Sequence, residues 1–228
     1  TTNDYNKALT SISHIQHPGK QVLAAKQKVL YNLGVQALSN NKTKAAQNYF
    51  KQAIAVGNYD KKILNECKLW LGEAQYRSGD YKEAMDNQLA YVNSTATSDE
   101  NYGLAQYNLG YSLFQQKRYD AAKKAFQNAI NSKTLSKELL ADAYNRIGDT
   151  NYYTQDFSAA EKSYGEAIGQ NEGAADYSMF QKAMMAGLSK RYSAKVEQID
   201  ALLKAYPSTS LAPQALLEKA NAQVAMKS

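Results

Sequence analysis

The residues that could perform chemistry are few, and their spacing matches no catalytic or metal-binding pattern. His14 and His17 are the only histidines, and two imidazoles three residues apart could both contact a metal ion. No cysteine or carboxylate cluster accompanies them in the sequence, which favours two surface histidines. Cys67 is the only cysteine, and a buried thiol is favoured over a reactive one. We therefore predict no metal site.

The glycines do not have the spacing of a phosphate-binding loop. Gly34, Gly72, Gly110 and Gly148 lie 38 residues apart, each inside a helical pattern, where a glycine serves close packing. No serine nucleophile elbow and no zinc-binding helix motif occurs in the sequence. The sequence thus predicts no catalytic residue, no cofactor and no enzyme activity.

The 38-residue spacing recurs in further residues and defines the elements that must position any binding side chain. Each of the four glycines follows a leucine or an isoleucine, and alanines in a second segment repeat at the same interval. These alanines are Ala8, Ala46, Ala84, Ala122 and Ala160. Large residues alternate with small ones at helical spacing, so each interval predicts two helices that approach closely. Ser136, and Asp80 together with Glu83, are predicted to cap helix starts.

This pattern resembles the tetratricopeptide repeat, a helix–turn–helix unit of about 34 residues. The match is clearest where Gly148 ends the first-helix motif and where Ala160, Tyr164 and Ala167 follow in the second helix. The resemblance implies an all-α fold, a right-handed α-α superhelix (a tetratricopeptide solenoid) of about five to six helix pairs, cut at both ends. It implies one solenoid over residues 1–228. Its repeats are expected at 1–17 (partial), 18–58, 59–96, 97–134, 135–172, 173–208 and 209–228 (partial).

Composition narrows the classes of partner. The hydrophobic content of 44% suits an ordered soluble chain, and there is no run of about 18 apolar residues that would predict a membrane span. The net charge is +6 and is concentrated in residues 1–77, so that a basic segment could meet an acidic partner. The lysines are scattered, which favours solvated helix faces over nucleic-acid binding. The resemblance implies a protein or peptide partner, and the composition predicts no nucleic-acid binding and no membrane insertion of this segment.

In the tetratricopeptide family the first helices line a concave groove that receives an extended peptide or a helix. The resemblance places the following residues in that groove: Tyr31, Asn32, Leu69, Glu73, Tyr76, Arg77, Tyr107, Asn108, Tyr111, Gln115, Asn145, Arg146, Asp149 and Tyr153. Some members hold a C-terminal carboxylate with a clamp of lysine, arginine and asparagine. Asn108 and Arg146 match two of its positions. Leu69, Glu73 and Asp142 occupy others, and the two acids replace needed cations, so the clamp is not predicted.

The stretch from Leu202 to Leu216, with Pro207 and Pro213, is similar to tetratricopeptide proteins of bacterial cell envelopes. Those are the coordinator of the Tol-Pal system and the lipoprotein of the outer-membrane assembly machine. The similarity implies a bacterial source and a periplasmic or envelope location. The leading hypothesis is a non-catalytic protein–protein interaction scaffold. Two alternatives stay open: an adaptor or sensor segment of a longer enzyme or signalling protein, and a structural spacer that associates with itself.

Overall fold

The computed structural model describes residues 2–170 and 174–227, and this part of the chain contains helices and turns but no strand. The helices are α1 (Thr2–Ser13), α2 (Lys20–Ser39), α3 (Thr43–Val56), α4 (Lys61–Arg77), α5 (Tyr81–Ser94), α6 (Tyr102–Gln115), α7 (Tyr119–Asn131), α8 (Lys137–Tyr153), α9 (Phe157–Gln170), α10 (Asp176–Leu188), α11 (Tyr192–Ala205) and α12 (Ala212–Ala225). The predicted all-α class is confirmed. Within these described ranges, no helix is both long and apolar enough to cross a membrane.

The chain divides into two compact units, unit 1 (residues 1–117) and unit 2 (residues 118–228). Unit 1 contains α1 to α6, each packed against the next, and its first helices α2, α4 and α6 also contact one another in turn. Unit 2 contains α7 to α12, again each packed against the next. One solenoid over residues 1–228 stays a prediction. The predicted repeat start at Gly173 lies outside the described residues.

In the helix pairs α2–α3 and α8–α9, an aromatic side chain of the second helix packs directly against a glycine of the first. A Cβ atom added at Gly34 would lie 2.6 Å from the ring of Phe50, and one added at Gly148 would lie 2.6 Å from the ring of Tyr164. Both rings are buried. The two glycines therefore occupy equivalent places, as the 38-residue spacing predicts.

The third repeat fills the same place with a polar side chain. Gly72 faces Gln88, whose Cγ would lie 2.9 Å from an added Cβ atom. Gln88 is fully buried, and its Oε1 accepts a hydrogen bond of 2.8 Å from the Ser112 hydroxyl, while its Nε2 has no hydrogen-bond partner among the described residues. A buried donor without a partner destabilises a fold. The helix pair α4–α5 thus has an unsatisfied amide at the place that the Phe50 ring fills in α2–α3.

The turn inside each repeat has one left-handed residue at a constant position. Asn41, Gly79, Lys117 and Gln155 have positive φ angles between 56° and 86° and are again 38 residues apart. The residue that follows Gly79 donates its backbone N–H to the Gln75 carbonyl at 2.9 Å, and the turns after Asn41 and Gln155 repeat this bond. This is the Schellman arrangement, which pairs carbonyl groups at a helix end. Only one of the four residues is a glycine. In the other three turns, a residue with a side chain adopts the left-handed conformation, which is sterically unfavourable.

The structure confirms one predicted cap and corrects the other. The Ser136 hydroxyl accepts a hydrogen bond from the Leu139 N–H at 3.3 Å and caps α8. Asp80 makes no side-chain capping bond at the start of α5. The N–H that Glu83 would need for a capping box already belongs to the Gln75 carbonyl, so the preceding turn prevents the box.

We predict that Gly148→Ala lowers the free energy of unfolding by about 1–3 kcal/mol, because the new methyl group must displace the buried Tyr164 ring. The control is Gly165→Ala in α9, where the nearest atom to the added Cβ is Lys182 Nζ at 3.9 Å. Alanine is the better helix former, so this control should gain about 0.5–1 kcal/mol. Urea denaturation followed by circular dichroism measures both. Equal stabilisation by the two changes would show that the ring does not pack as described.

Candidate partner-binding surface

The predicted groove residues all lie on the first helices of the repeats. Those on α2 are Tyr31 and Asn32, those on α4 are Leu69, Glu73, Tyr76 and Arg77, those on α6 are Tyr107, Asn108, Tyr111 and Gln115, and those on α8 are Asn145, Arg146, Asp149 and Tyr153. The α4 set has i, i+3 and i+4 spacing from Glu73, so its side chains share one face of the helix. Tyr107 and Tyr111 have the same relation on α6.

Six of these residues in unit 1 line one cavity of about 290 Å³, which we call the tyrosine cavity. They are Glu73, Tyr76, Arg77, Tyr107, Asn108 and Tyr111. The α4 and α6 residues were predicted from separate repeats, and the structure brings them together because α4 contacts α6. A concave site with several aromatic side chains and a few polar ones is typical of ligand sites in proteins.

Three tyrosine rings form the apolar part of the tyrosine cavity. Tyr76 and Tyr111 have centroids 5.9 Å apart at an angle of 70°, and Tyr107 and Tyr111 have centroids 5.1 Å apart at 67°. Both pairs are edge-to-face, the arrangement that aromatic quadrupoles favour. Gln115 extends the polar rim, since its Nε2 lies 3.4 Å from the Tyr76 hydroxyl.

The polar part of the tyrosine cavity consists of an ion pair and an amide. Arg77 Nε donates to Glu73 Oε1 at 2.6 Å. The Glu73 side chain is 17% exposed and the Arg77 side chain is 43% exposed, so the carboxylate lies in the wall and the guanidinium at the rim. Asn108 is buried. The cavity thus offers a carboxylate oxygen, an amide and three rings to a guest.

Leu69 was predicted to line the groove, and the structure corrects this. It is fully buried and packs with Tyr91 and Ala105. An apolar side chain in that position is covered by the adjacent helices, so it cannot meet a partner. Tyr31 is half-buried against the Phe50 ring at 6.2 Å, and Asn32 beside it is half-buried too. Neither α2 residue is among those that line the tyrosine cavity.

Two of the predicted residues of unit 2, Arg146 and Asp149, belong to an internal polar network. Asp149 Oδ1 accepts hydrogen bonds from the hydroxyls of Tyr164 at 2.7 Å and Tyr177 at 2.9 Å. Arg146 pairs with Asp149 Oδ2 at 2.5 Å and with Asp142 at 3.5 Å, and its guanidinium lies 5.5 Å from the Tyr177 ring centroid. Tyr164 and Tyr177 were not predicted to belong to a site.

Burial dominates the proton equilibria of this network. It raises the pKa of Asp149 above its ordinary value, and the Arg146 guanidinium and the two tyrosine hydroxyls oppose that rise. Burial and the neighbouring carboxylate raise the pKa of Tyr164, and they raise the pKa of Tyr177 to about 12. Both tyrosines therefore stay protonated at neutral pH and donate to Asp149.

The two remaining predicted residues of α8 differ in exposure. Asn145 is buried, and its Oδ1 accepts a hydrogen bond of 2.7 Å from the Ser178 hydroxyl. Tyr153 is 52% exposed and stacks on Tyr119, with centroids 4.7 Å apart and an interplanar angle of 2°. Only Tyr153 of these two presents a large surface to solvent.

A second cavity, of about 430 Å³, lies in unit 2 and was missed from the sequence. Its lining includes Tyr152 of α8 and Gln181, Met184 and Leu188 of α10. The signal was present: Ala183 takes the place of the repeat glycine, and Met184 and Leu188 follow it as Glu73 and Arg77 follow Gly72. The shortened last repeat concealed this correspondence.

The residues first considered for chemistry lie apart from the tyrosine cavity. His14 follows the end of α1, and its Nδ1 lies 2.7 Å from the Thr10 carbonyl oxygen of that helix. Cys67 is fully buried beside Leu71, and burial raises the pKa of its thiol to about 12. In the part of the chain that the structure describes, no group of three or more histidine, cysteine, aspartate or glutamate residues is placed to hold a metal ion.

Comparison with known proteins agrees with the arrangement of these helices. Models of the tetratricopeptide repeat match residues 31–101, 103–132 and 141–173, together more than half of the chain. The chain belongs to the tetratricopeptide-repeat family. Proteins of this family generally mediate protein–protein interaction and are typically non-catalytic. No curated protein sequence matches this tetratricopeptide-repeat chain significantly.

Solved structures show the same fold at low sequence identity. YrrB, described as a tetratricopeptide-repeat protein with an unusual peptide-binding site, is 16% identical over 82% of this chain and 90% of its own, with a TM-score of 0.67. A MamA segment from Desulfovibrio magneticus RS-1 is 16% identical over 81% and 97%, with a TM-score of 0.68. A tetratricopeptide-repeat protein from Parabacteroides merdae is 13% identical over 88% and 73%, with a TM-score of 0.69. At these identities the likeness shows the fold alone.

We predict that Cys67 resists thiol reagents in the folded chain. At about pH 8 a thiol with a pKa of about 12 is protonated, and reaction requires an accessible thiolate. Labelling by a chromogenic disulfide should therefore be negligible in native buffer and complete in urea. Rapid stoichiometric labelling of the native chain would contradict the burial of Cys67.

We also predict that Tyr177→Phe lowers the free energy of unfolding by about 1–3 kcal/mol, because it removes a hydrogen bond to a buried carboxylate. Tyr152→Phe is the matched control in unit 2, because Tyr152 is 42% exposed; it should change stability by less than about 0.5 kcal/mol. Urea denaturation at neutral pH compares them. Equal effects would show that the Asp149 network does not contribute as described.

Proposed function

We propose that this chain is a non-catalytic scaffold that binds a peptide segment of a protein partner on the first helices of unit 1. The tyrosine cavity is the observation that carries this proposal. It combines three half-buried rings with a carboxylate, an amide and a rim guanidinium. Tyrosine offers contact area at a low entropy cost, and such rings are enriched at recognition sites.

Unit 2 supports this assignment by contrast. Asp149 and Asn145 stand on α8 in predicted groove positions, but their side chains are committed to Tyr164, Tyr177 and Ser178. Breaking these buried bonds to bind a partner would cost free energy that the partner must replace. Peptide recognition in unit 1 requires no such exchange at Glu73 Oε2. Family membership and the fold shared with YrrB, which is described as having a peptide-binding site, agree with the proposal.

The proposed location is the periplasm or envelope of a bacterium. Its support is the sequence pattern alone: we infer a resemblance of the segment from Leu202 to Leu216, with Pro207 and Pro213, to the Tol-Pal coordinator and to the outer-membrane assembly lipoprotein. Fractionation of cells that produce the protein tests this, and recovery in the cytoplasmic fraction alone would reject it. The adaptor alternative remains a prediction that the flanking gene sequence tests.

Homo-association stays a prediction with one supporting feature. The last helix, α12, exposes Leu216 at 54% and Leu217 at 61%. Sedimentation of the chain over a range of concentrations measures association, and a Leu216→Ser/Leu217→Ser variant tests whether α12 carries it. The absence of nucleic-acid binding is likewise a prediction, and a salt-sensitive mobility shift with DNA or RNA would overturn it.

A display library of random peptides, selected on the immobilised chain, tests the proposed function. We expect selected peptides whose affinity falls at least about tenfold in Tyr107→Ala/Tyr111→Ala, because central aromatic residues contribute most of the binding energy at such sites. Tyr59→Ala is the matched control, since Tyr59 is an exposed tyrosine of unit 1 outside the tyrosine cavity. Thermal denaturation checks that each variant is folded.

Two outcomes would overturn the proposed function. One is a library that yields no peptide binding above background. The other is a set of peptides that bind the parent chain and the Tyr107→Ala/Tyr111→Ala variant equally well.

A further inference from the structure

We propose that the tyrosine cavity of unit 1 takes a positively charged side chain, a lysine or an arginine, of the bound peptide. This inference rests on the proposed function and specifies the class of peptide. It follows from the state of one carboxylate, from the rings beside it and from a matching arrangement inside unit 2.

The Glu73 carboxylate has one oxygen engaged and one available. Oε1 accepts from Arg77 Nε at 2.6 Å, whereas Oε2 has no hydrogen-bond partner among the described residues. The Glu73 side chain is mostly covered, so a guest that fills the cavity removes much of the remaining water from Oε2. An apolar guest would not replace those hydrogen bonds, and an anionic guest would be repelled. A cationic guest restores both the hydrogen bond and the charge balance.

The rings of the same cavity favour the same guest. A lysine or arginine is attracted to the face of a tyrosine ring when its charge lies within about 6 Å of the centroid. Tyr76, Tyr107 and Tyr111 line the cavity together with Glu73, and the volume of about 290 Å³ accommodates one long side chain. The aliphatic part of a lysine or arginine can pack on the rings while its charged end meets the carboxylate.

Unit 2 contains a built-in example of this recognition. Glu73 and Asp149 hold the same repeat position, one residue after Gly72 and Gly148. At Asp149 the position is occupied from within the chain: the Arg146 guanidinium pairs with Oδ2 at 2.5 Å and lies 5.5 Å from the Tyr177 ring centroid. Both oxygens of Asp149 are engaged, since Tyr164 and Tyr177 donate to Oδ1. A carboxylate and a tyrosine thus hold a guanidinium on this scaffold, and at Glu73 one oxygen remains for a partner's cation.

The test uses the peptides selected by display on the parent chain that depend on Tyr107 and Tyr111. We expect a lysine or arginine at one position of these peptides. Replacing it with norleucine should raise the dissociation constant about tenfold, because the charge is lost. Replacing it with glutamate should raise the dissociation constant further. Fluorescence anisotropy of labelled peptides measures each constant at constant salt.

Substitutions in the protein itself test the same requirement for a cation in the peptide. Glu73→Gln should lower the affinity for the lysine or arginine peptides about tenfold. These peptides should then bind no more tightly than the norleucine peptides. Arg77→Gln removes the competing cation and should strengthen binding of the cationic peptides. The matched control, Glu83→Gln, changes an exposed acid of α5 to an amide and should leave affinity unchanged.

The outcomes separate this inference from the proposed function. Tyrosine-dependent peptides without a required cation, or an unchanged affinity in Glu73→Gln, would overturn the cation inference and leave peptide binding intact. A library without any tyrosine-dependent peptide would overturn both. A tenfold loss in Glu73→Gln that is confined to cationic peptides would establish the inference.

Discussion

The contact between a large side chain and a repeat glycine, present in the helix pairs α2–α3, α4–α5 and α8–α9, is the constraint on which the other features depend. Phe50 over Gly34 and Tyr164 over Gly148 leave no room for a Cβ atom, so the two helices meet in one register only. That register decides which side of a first helix faces its partner helix. Another side of the first helix remains for contacts with the neighbouring first helix, and the tyrosine cavity forms there between α4 and α6.

The third repeat shows what happens when this contact changes chemically. Gln88 takes the place of the ring, and its Oε1 recruits Ser112 from α6, the residue after Tyr111. A buried polar bond therefore joins α5 to α6, beside the apolar contacts of Leu69, Tyr91 and Ala105. Such a bond is directional, and it orients α6 relative to α5. Helix α6 thus carries both Ser112, which bonds to Gln88 in the interior, and the cavity residues Tyr107 and Tyr111. The interior bond therefore helps to set the position of the cavity tyrosines.

The difference between the two units arises from side chains at equivalent positions with different surroundings. Glu73 has one partner, a rim arginine on its own helix, whereas Asp149 has Arg146 on its own helix and tyrosines from α9 and α10. The first arrangement leaves Glu73 Oε2 without a hydrogen-bond partner among the described residues. The second joins α8 to α9 and α10 through buried hydrogen bonds. Because Asp149 is buried there, its pKa is raised.

The helices, the repeat interval and the glycine positions follow from the sequence alone, because close packing requires small and large residues at fixed helical spacing. The same register identified the six residues of the tyrosine cavity. Only the tertiary structure decided that Leu69 is covered and that Asp149 is satisfied, because their neighbours come from other helices; Tyr177 is 28 residues from Asp149. Local spacing determines which way a side chain points, whereas its partners depend on how distant segments pack.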